Sequence, residues 1–264
     1  MIFFSRLLVF LELALTKSFM NLKSEAKRNK LSYLWWVVEP LLYMGIFYFV
    51  FGVLLFQHST GATGSEFVVY LITGLVPFQW FAKGILMSAP SILDERFLMQ
   101  QVRINPVFFP FVSVLQSSIK QVPVFLMLVA FLLLMGYAPN LTWLGLLPVF
   151  LLQFLLMTVL GLLVAMMVVV VKDLLQIIPT GVQFLMFFSG VFFTAERVPV
   201  EFRDLFFMNP IASLLEVYRT ILMAGEWPSW DVFLQLVLVV GAIAMAVLVV
   251  YGLVHRNLVK VAMR

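Results

Sequence analysis

The sequence has no cysteine, two histidines and a charged fraction of only 11%. The first absence excludes a disulfide framework, thiolate metal sites and a cysteine nucleophile, and the second leaves little for imidazole ligation or catalysis. The third is the most restrictive. A soluble domain is about a quarter charged, whereas these 264 residues are 63% hydrophobic and 16% aromatic, with a mean hydropathy of +1.08. Too few solvating side chains remain to cover a water-facing surface, so the composition is that of an integral membrane protein. Also missing are any G-x-x-x-x-G-K-[ST] sequence and any Gly-rich strand-to-helix turn, which leaves a nucleotide phosphate without a cradle. Uphill movement would draw its energy from another chain or from an ion gradient. Carboxylates within the apolar runs are confined to Glu39, and since a charge at the bilayer centre costs at least about 2.5 kcal/mol, an ion-coupled carrier is disfavoured. No metal site, resident cofactor or nucleic-acid partner is expected.

Six apolar runs are present, at 33–56, 67–93, 107–137, 143–171, 174–195 and 232–254, each long enough for the roughly 20 residues of a helical crossing. The expected fold is an all-α integral membrane protein in a single domain over 1–264: a leading helix over 1–30, six spans over 33–254, and a tail over 255–264. Arg6, Lys17, Lys23, Lys27, Arg28 and Lys30, then Arg96, Arg103 and Lys172, then Arg256, Lys260 and Arg264 fall on one side, and only Arg197, Arg203 and Arg219 on the other. The positive-inside rule therefore puts both termini in the cytoplasm. The opposite face carries Glu66, Glu196, Glu201, Asp204, Glu216, Glu226 and Asp231.

The first 30 residues do not read as a signal peptide. Arg6 and Glu12 interrupt the apolar stretch, and the basic cluster follows it instead of leading it. Phe4, Leu8, Leu11, Leu15, Phe19 and Leu22 share one helical face, as in an amphipathic helix lying along the membrane surface, although Val9, Phe10 and Leu13 fall elsewhere.

Several residues invite two readings. Glu39-Pro40, after Leu34-Trp35-Trp36, is either a carboxylate reaching back to the interface or a pinned bend at the inner mouth of a pathway. Lys83 and Lys120, the latter in a polar patch with Gln116, Ser117, Ser118 and Gln121, either snorkel or line a wet face that meets an anionic substrate. Residues 93–103 read as a short helix within the connection 94–106, with Asp94 and Glu95 leading and Arg96 and Arg103 following, as the helix dipole prefers. Phe97, Leu98 and Met99 in it need a cover, and the stretch is either a solvated connector or a knob for a soluble partner. In the segment 196–229, two short helices are expected over 199–208 and 210–224, with Asn209 as N-cap, Pro210 at the first position and Gly225 as the stop. Dipping in from the outer face and turning back, they are candidates for a gate. Asp173 is expected to cap the fifth span.

The order of these features resembles the transmembrane subunit of ABC-2 type polysaccharide exporters, which move lipid-linked O-antigen, capsule or teichoic-acid polymers. The resemblance covers nearly the whole chain. It rests on the basic leading segment running into Leu31-Ser32-Tyr33-Leu34-Trp35-Trp36 and Glu39-Pro40, on Gly74-Leu75-Val76-Pro77-Phe78-Gln79-Trp80-Phe81, on Val171-Lys172-Asp173-Leu174, and on Asn209-Pro210 with Arg219. Lys172 departs from the family's more frequent arginine, and Ile104-Asn105-Pro106 from its more usual Phe-Pro. The resemblance implies a homodimer in the bacterial inner membrane, docked on two copies of a separate ATPase that binds ATP and Mg, with O-antigen the first choice of cargo. It also implies that the loop after the second span couples to the ATPase and that the first and fifth helices line the path. Trp36, Tyr43 and Phe47 form an aromatic stripe on the first span that Phe184, Phe187 and Phe188 could meet, giving sugar rings a surface to slide on, or else a packing or lipid-facing stripe.

Competing architectures are a drug or small-lipid exporter of the same type, an intramembrane enzyme, and an aquaporin-like channel. No paired nucleophile and base supports the enzyme. Asn105-Pro106 and Asn209-Pro210 stand where the channel family places its half-helices, but neither is followed by alanine and the halves show no repeat.

Overall fold

The computed structural model describes residues 2–28, 32–50, 64–102, 104–194 and 198–262, and every regular element among them is helical. In chain order these are α1 (Ile2–Arg28), α2 (Ser32–Phe47), α3 (Gly64–Ser88), the short α4 (Ser91–Asp94) and α5 (Arg96–Gln101), and α6 (Phe108–Leu134). A 3-10 turn (Leu141–Gly145) leads into α7 (Leu146–Val170), followed by α8 (Leu174–Phe188), α9 (Val200–Phe207), α10 (Pro210–Arg219) with a π turn (Thr220–Ala224), and α11 (Trp230–Ala262).

Four stretches are long and apolar enough to cross a bilayer: Ser65–Ser88, Phe108–Leu134, Leu141–Val170 and Trp230–Val254. They correspond to the second, third, fourth and sixth apolar runs. A fifth exists if α9 and the helix after it, bent by 95° at their junction, are one span. The first and fifth runs appear as shorter apolar helices, Val38–Val50 and Leu174–Phe188. The fifth run was expected to continue to residue 195. It stops at Phe188 because the chain reverses over Ser189-Gly190, where Gly190 takes φ +68°, a conformation that costs glycine nothing.

Burial ranks the helices. The α3 span is 78% buried and the α11 span 17%, so α3 runs through the middle of the bundle and α11 along its outside. The central helices approach through small residues, as membrane helices do where packing rather than hydrophobicity holds them together. A Cβ on Gly161 of α7 would sit 2.7 Å from Ser88 Oγ and 2.9 Å from Ser88 Cβ. Polar groups in the bundle are answered internally. Pro77 lies inside α3, and two buried amides bond the carbonyls of that turn: Gln121 of α6 donates to the Val76 carbonyl (3.2 Å) and Gln153 of α7 to the Pro77 carbonyl (2.8 Å). The Tyr218 hydroxyl of α10 in turn donates to Gln153 Oε1 at 2.6 Å. In hydrocarbon an unmet group of this kind costs several kcal/mol, so the network ties three helices to one turn of α3.

The leading helix packs differently from the expected stripe. Phe10, Ala14, Ser18 and Leu22 face α6, with the Phe10 ring 5.6 Å from that of Phe108 and Ser18 Oγ donating to the Val112 carbonyl at 3.3 Å. Leu8, Leu11, Leu15 and Phe19 are exposed. The reason is steric: the alanine and serine let α1 lie close against α6, which a row of leucines would prevent. At 1.5 Å per residue, α6 rises about 40 Å, some ten more than the hydrocarbon core, so its first turns can accompany α1 outside it.

The Gly161 contact generates a paired prediction. Gly161→Ala overpacks the α3–α7 contact and should lower the stability of the full chain in detergent by about 1–3 kcal/mol, while Gly241→Ala, where a Cβ meets nothing within 4 Å, should not. Equal thermal unfolding midpoints for the two variants would refute this packing.

Candidate functional site

Five groups of predicted residues can be followed along the bundle. The elbow of α4 and α5 breaks at Glu95, so 93–103 is not the single helix expected from its charges. Glu95 is drawn to α1 instead: its carboxylate lies 2.7 Å from Lys17 Nζ. Arg96 stacks its guanidinium 4.9 Å above the Phe97 ring, and Phe97 stands 62% exposed. Leu98 and Met99 do not share that exposure. Leu98 is half-buried and Met99 buried in the cluster of Ile92, Phe109 and Met166, because helical spacing turns them toward α6 and α7. Partial burial, and next the neighbouring Glu95 charge, hold the Asp94 carboxyl above the ordinary aspartate range. A carboxyl whose pKa is raised by folding is penalised when ionised, so its effect on stability turns unfavourable as the pH rises through the unfolded value and is complete above the folded one. A cationic partner would relieve it. Arg103 lies outside the described residues.

Above the elbow, α1, α2, α3 and α6 enclose a polar cavity of about 440 Å³. Glu39 of α2, ahead of Pro40 inside the helix, pairs with Lys83 of α3 at 3.1 Å. Glu25 of α1 receives Lys120 of α6 on both oxygens, at 2.7 and 2.6 Å, and Gln116 donates to it at 3.2 Å. Sequence reading singled out Glu39, Lys83 and Lys120 separately; the structure joins them to one cavity and adds Glu25. A solvent-facing position on a long helix carries no mark of the partner it will meet across the bundle.

The aromatic stripe is brought together through a residue that sequence reading missed. Phe192, in the turn after α8, lies 6.0 Å from Phe47 of α2 and 5.3 Å from Phe187 of α8, so that the two helices share one aromatic contact. Tyr43, Phe184 and Phe188 are exposed, and the side chain of Trp36 lies outside the described residues. A phenylalanine in a Gly-containing turn belongs to no helical period, which is why pattern analysis passed over Phe192.

At the opposite end of the bundle from the elbow, Arg219, at the end of α10, is buried. Its Nη2 donates to the Gly190 carbonyl at 2.9 Å, its Nε to the Tyr70 carbonyl at 3.3 Å, and its guanidinium lies 3.6 Å from the centre of the Tyr70 ring. The Tyr70 hydroxyl donates to the Phe193 carbonyl at 2.8 Å. Gly74 makes room: a Cβ there would come within 2.3 Å of the guanidinium. Asn209 caps α10 by accepting from Ile211 N at 3.0 Å, ahead of Pro210, while its amide donates to Ser189 Oγ at 2.9 Å. Gly225 ends the following turn at φ +67°. Arg219 thus holds the turn after α8, α3 and α10 in one clasp.

At the turn between α7 and α8, Lys172 and Asp173 are exposed and Asp173 is not the side-chain cap expected. Its backbone is already helical, and the first amides are met by carbonyls three residues back, Leu174 N to Val171 at 3.2 Å and Leu175 N to Lys172 at 3.1 Å. The tight turn leaves the carboxylate no amide to accept from.

Several curated proteins match most of the chain. It is 25% identical over 206 residues to the O-antigen export system permease protein RfbA of Klebsiella pneumoniae, covering 78% of each. It is 26% identical over 223 residues to the O-antigen export system permease protein RfbA of Myxococcus xanthus, covering 82% of each. It is 24% identical over 206 residues to the polysialic acid transport protein KpsM of Escherichia coli, covering 78% of this chain and 79% of that one. The family model described as "ABC-2 type transporter" matches residues 14–223, from the packed face of α1 to the turn beyond Arg219. That span takes in the elbow, the polar cavity, the aromatic contact and the outer clasp, and the chain belongs to the ABC-2 type transporter family.

Proposed function

We propose that this chain is the transmembrane subunit of an ATP-driven exporter of lipid-linked polysaccharide, O-antigen first among the candidates, acting as a homodimer with two copies of a separate ATPase. The observation that carries this reading is an exposed aromatic, Phe97, stacked by Arg96 on a cytoplasmic elbow braced to α1 and α6, in a chain with no phosphate-binding loop of its own. The names of the relatives support polymer over drug, since each is an O-antigen or polysialic acid transporter. In this reading the protein crosses the bacterial inner membrane six times with both termini in the cytoplasm. α2 and α8 begin the first and fifth crossings, α1 lies at the inner interface with Leu8, Leu11, Leu15 and Phe19 toward lipid, and α9 and α10 re-enter from the periplasmic side as a gate.

The elbow is the point where ATP-driven motion enters. Asp94, Glu95 and Arg96 orient it, and Phe97 seats in the ATPase. The path follows α2 and α8, where rings at Tyr43, Phe47, Phe184, Phe187, Phe188 and Phe192 offer stacking contacts of about 1 kcal/mol each. Contacts that weak and that numerous suit a chain of sugars that must keep moving. ATP and Mg belong to the partner, and this subunit holds no cofactor.

Two experiments test the reading. Phe97→Asp should reduce co-purification of the ATPase subunit by about tenfold or more, since a buried interface anchor is worth upward of 1–2 kcal/mol, and should abolish surface polymer while leaving the subunit in the membrane. Normal ATPase recovery and normal surface polymer would overturn the coupling role. Phe47→Ala together with Phe192→Ala should slow appearance of surface polymer several-fold while complex assembly is retained, the loss of two aromatic contacts being about 1–3 kcal/mol. Undiminished export would remove the stacking path.

A further inference from the structure

The polar cavity between α1, α2, α3 and α6 holds two lysines and two glutamates, paired across helices so that their charges cancel. Stability alone does not account for them. Partly exposed pairs contribute at most about 1 kcal/mol, and apolar side chains of similar volume would serve a membrane bundle as well or better. The two pairs are also unequal. Glu25 is fixed: Lys120 contacts both its oxygens and Gln116 donates to it. Glu39 has a single contact to Lys83 at 3.1 Å, and both side chains are nearly half exposed, at 45% and 40%. Glu39 also sits beside Pro40, which removes one hydrogen bond of α2 and softens the helix at that turn. The carboxylate of Glu39 therefore occupies a cationic position while being cheap to dislodge, and Trp35, half exposed, lines the same cavity.

We infer that Lys83 and Lys120 form a receptor for the phosphate of a phosphate-headed lipid, with Glu39 as the built-in competitor that holds the place when the site is empty. A phosphate oxygen makes the same charge-assisted contact to an ammonium as a carboxylate oxygen does, with more acceptors to offer. A diphosphate reaching both lysines displaces Glu39 from Lys83 and leaves Glu25 in place, and the indole of Trp35 then flanks the group attached to the phosphate. Because the displaced carboxylate belongs to α2 and the lysine to α3, occupancy unpins α2 from α3 at its softest turn. The site thus reports a loaded headgroup to the first helix of the path. This rests on the reading of the protein as an exporter of lipid-linked glycans for the identity of the headgroup; the cavity's chemistry would equally accept the phosphate of a membrane phospholipid.

The test uses the full chain in zwitterionic nanodiscs and farnesyl diphosphate as probe, with binding followed by native mass spectrometry and farnesol as the uncharged control. Saturable binding of the diphosphate and not of farnesol is expected. Lys83→Gln should weaken it about tenfold, the value of one hydrogen bond to a charged group, whereas Glu39→Gln should tighten it several-fold. A purely structural ion pair predicts instead that the two variants melt earlier and change affinity alike. Shifts in the same direction, no shift in either variant, or equal binding of farnesol would each overturn the proposal, and thermal unfolding of both variants establishes that they are folded. Competition by phosphatidylglycerol at equal concentration would assign the phosphate site to bulk anionic lipid; its absence would assign it to diphosphate-linked carriers. Neither ATPase nor polymer enters the measurement, so a failure of the export reading would show in the co-purification and surface-polymer experiments and leave this result standing.

Discussion

A chain that turns back within or near hydrocarbon exposes carbonyls that no water can reach, and the guanidinium of Arg219 answers them here. It reaches the Gly190 and Val191 carbonyls of the turn after α8 and the Tyr70 carbonyl of α3, and it lies on the Tyr70 ring. A lysine could supply the charge but not the planar fork that serves several carbonyls at once. The arrangement depends on what is missing at Gly74: any side chain there would fill the space the guanidinium occupies. With the clasp in place, the outer ends of α3, α8 and α10 form one unit, and the Asn209 cap on α10 can donate to Ser189 across the same turn. Pulling the guanidinium away would leave a buried charge without these three carbonyls at low dielectric, a cost of several kcal/mol.

The middle of the bundle is held by the same logic with weaker groups. Pro77 lies inside α3, and glutamines from α6 and α7 donate to the consecutive carbonyls of Val76 and Pro77 at that turn. Tyr218 then ties α10 to Gln153. One turn of the central helix is thereby tied to three neighbours. Both devices act on α3, which is also the most buried span, so the polar contacts converge on the helix at the middle of the bundle.

How much of this could be read beforehand depended on whether the signal was local. Four of the six apolar runs emerge as helices of crossing length. The Asn209-Pro210 start and the Gly225 stop of the outer hairpin follow from capping chemistry that needs only neighbours in sequence. Asp173 fails by the same standard, because a cap depends on backbone geometry that the dipeptide does not fix: the tight turn at Val171 met the amides first. Long-range pairings were legible only as isolated oddities. Gly74 and Arg219 stood in separate motifs with no trace of their contact, Glu25 was one charge in a basic helix, and Phe192 lay in a turn where no period operates. The packed face of α1 was missed for a related reason. Apolar periodicity finds the face with most hydrocarbon, whereas in a membrane the packed face is the one with small residues, Ala14 and Ser18.

The two ends of the bundle differ in what their polar contacts permit. At the outer end the clasp is buried and made of hydrogen bonds to backbone, so undoing it means leaving charge and carbonyls without partners at the same moment. At the inner end the contacts are ion pairs between side chains on different helices: Lys17 with Glu95, Lys120 with Glu25, and Lys83 with Glu39. Each is partly exposed and worth at most about 1 kcal/mol, and either partner can exchange into water at small cost. A rim joined by such pairs can be rearranged by a force applied at the elbow, and because Glu95 is paired to α1 and α1 to α6, displacement of α5 is passed to α1 and α6 before it reaches the deeper core. The two ends of the bundle therefore differ in what rearrangement costs: at one, paired side chains can trade partners with water, and at the other a buried guanidinium cannot leave its carbonyls without a penalty of several kcal/mol.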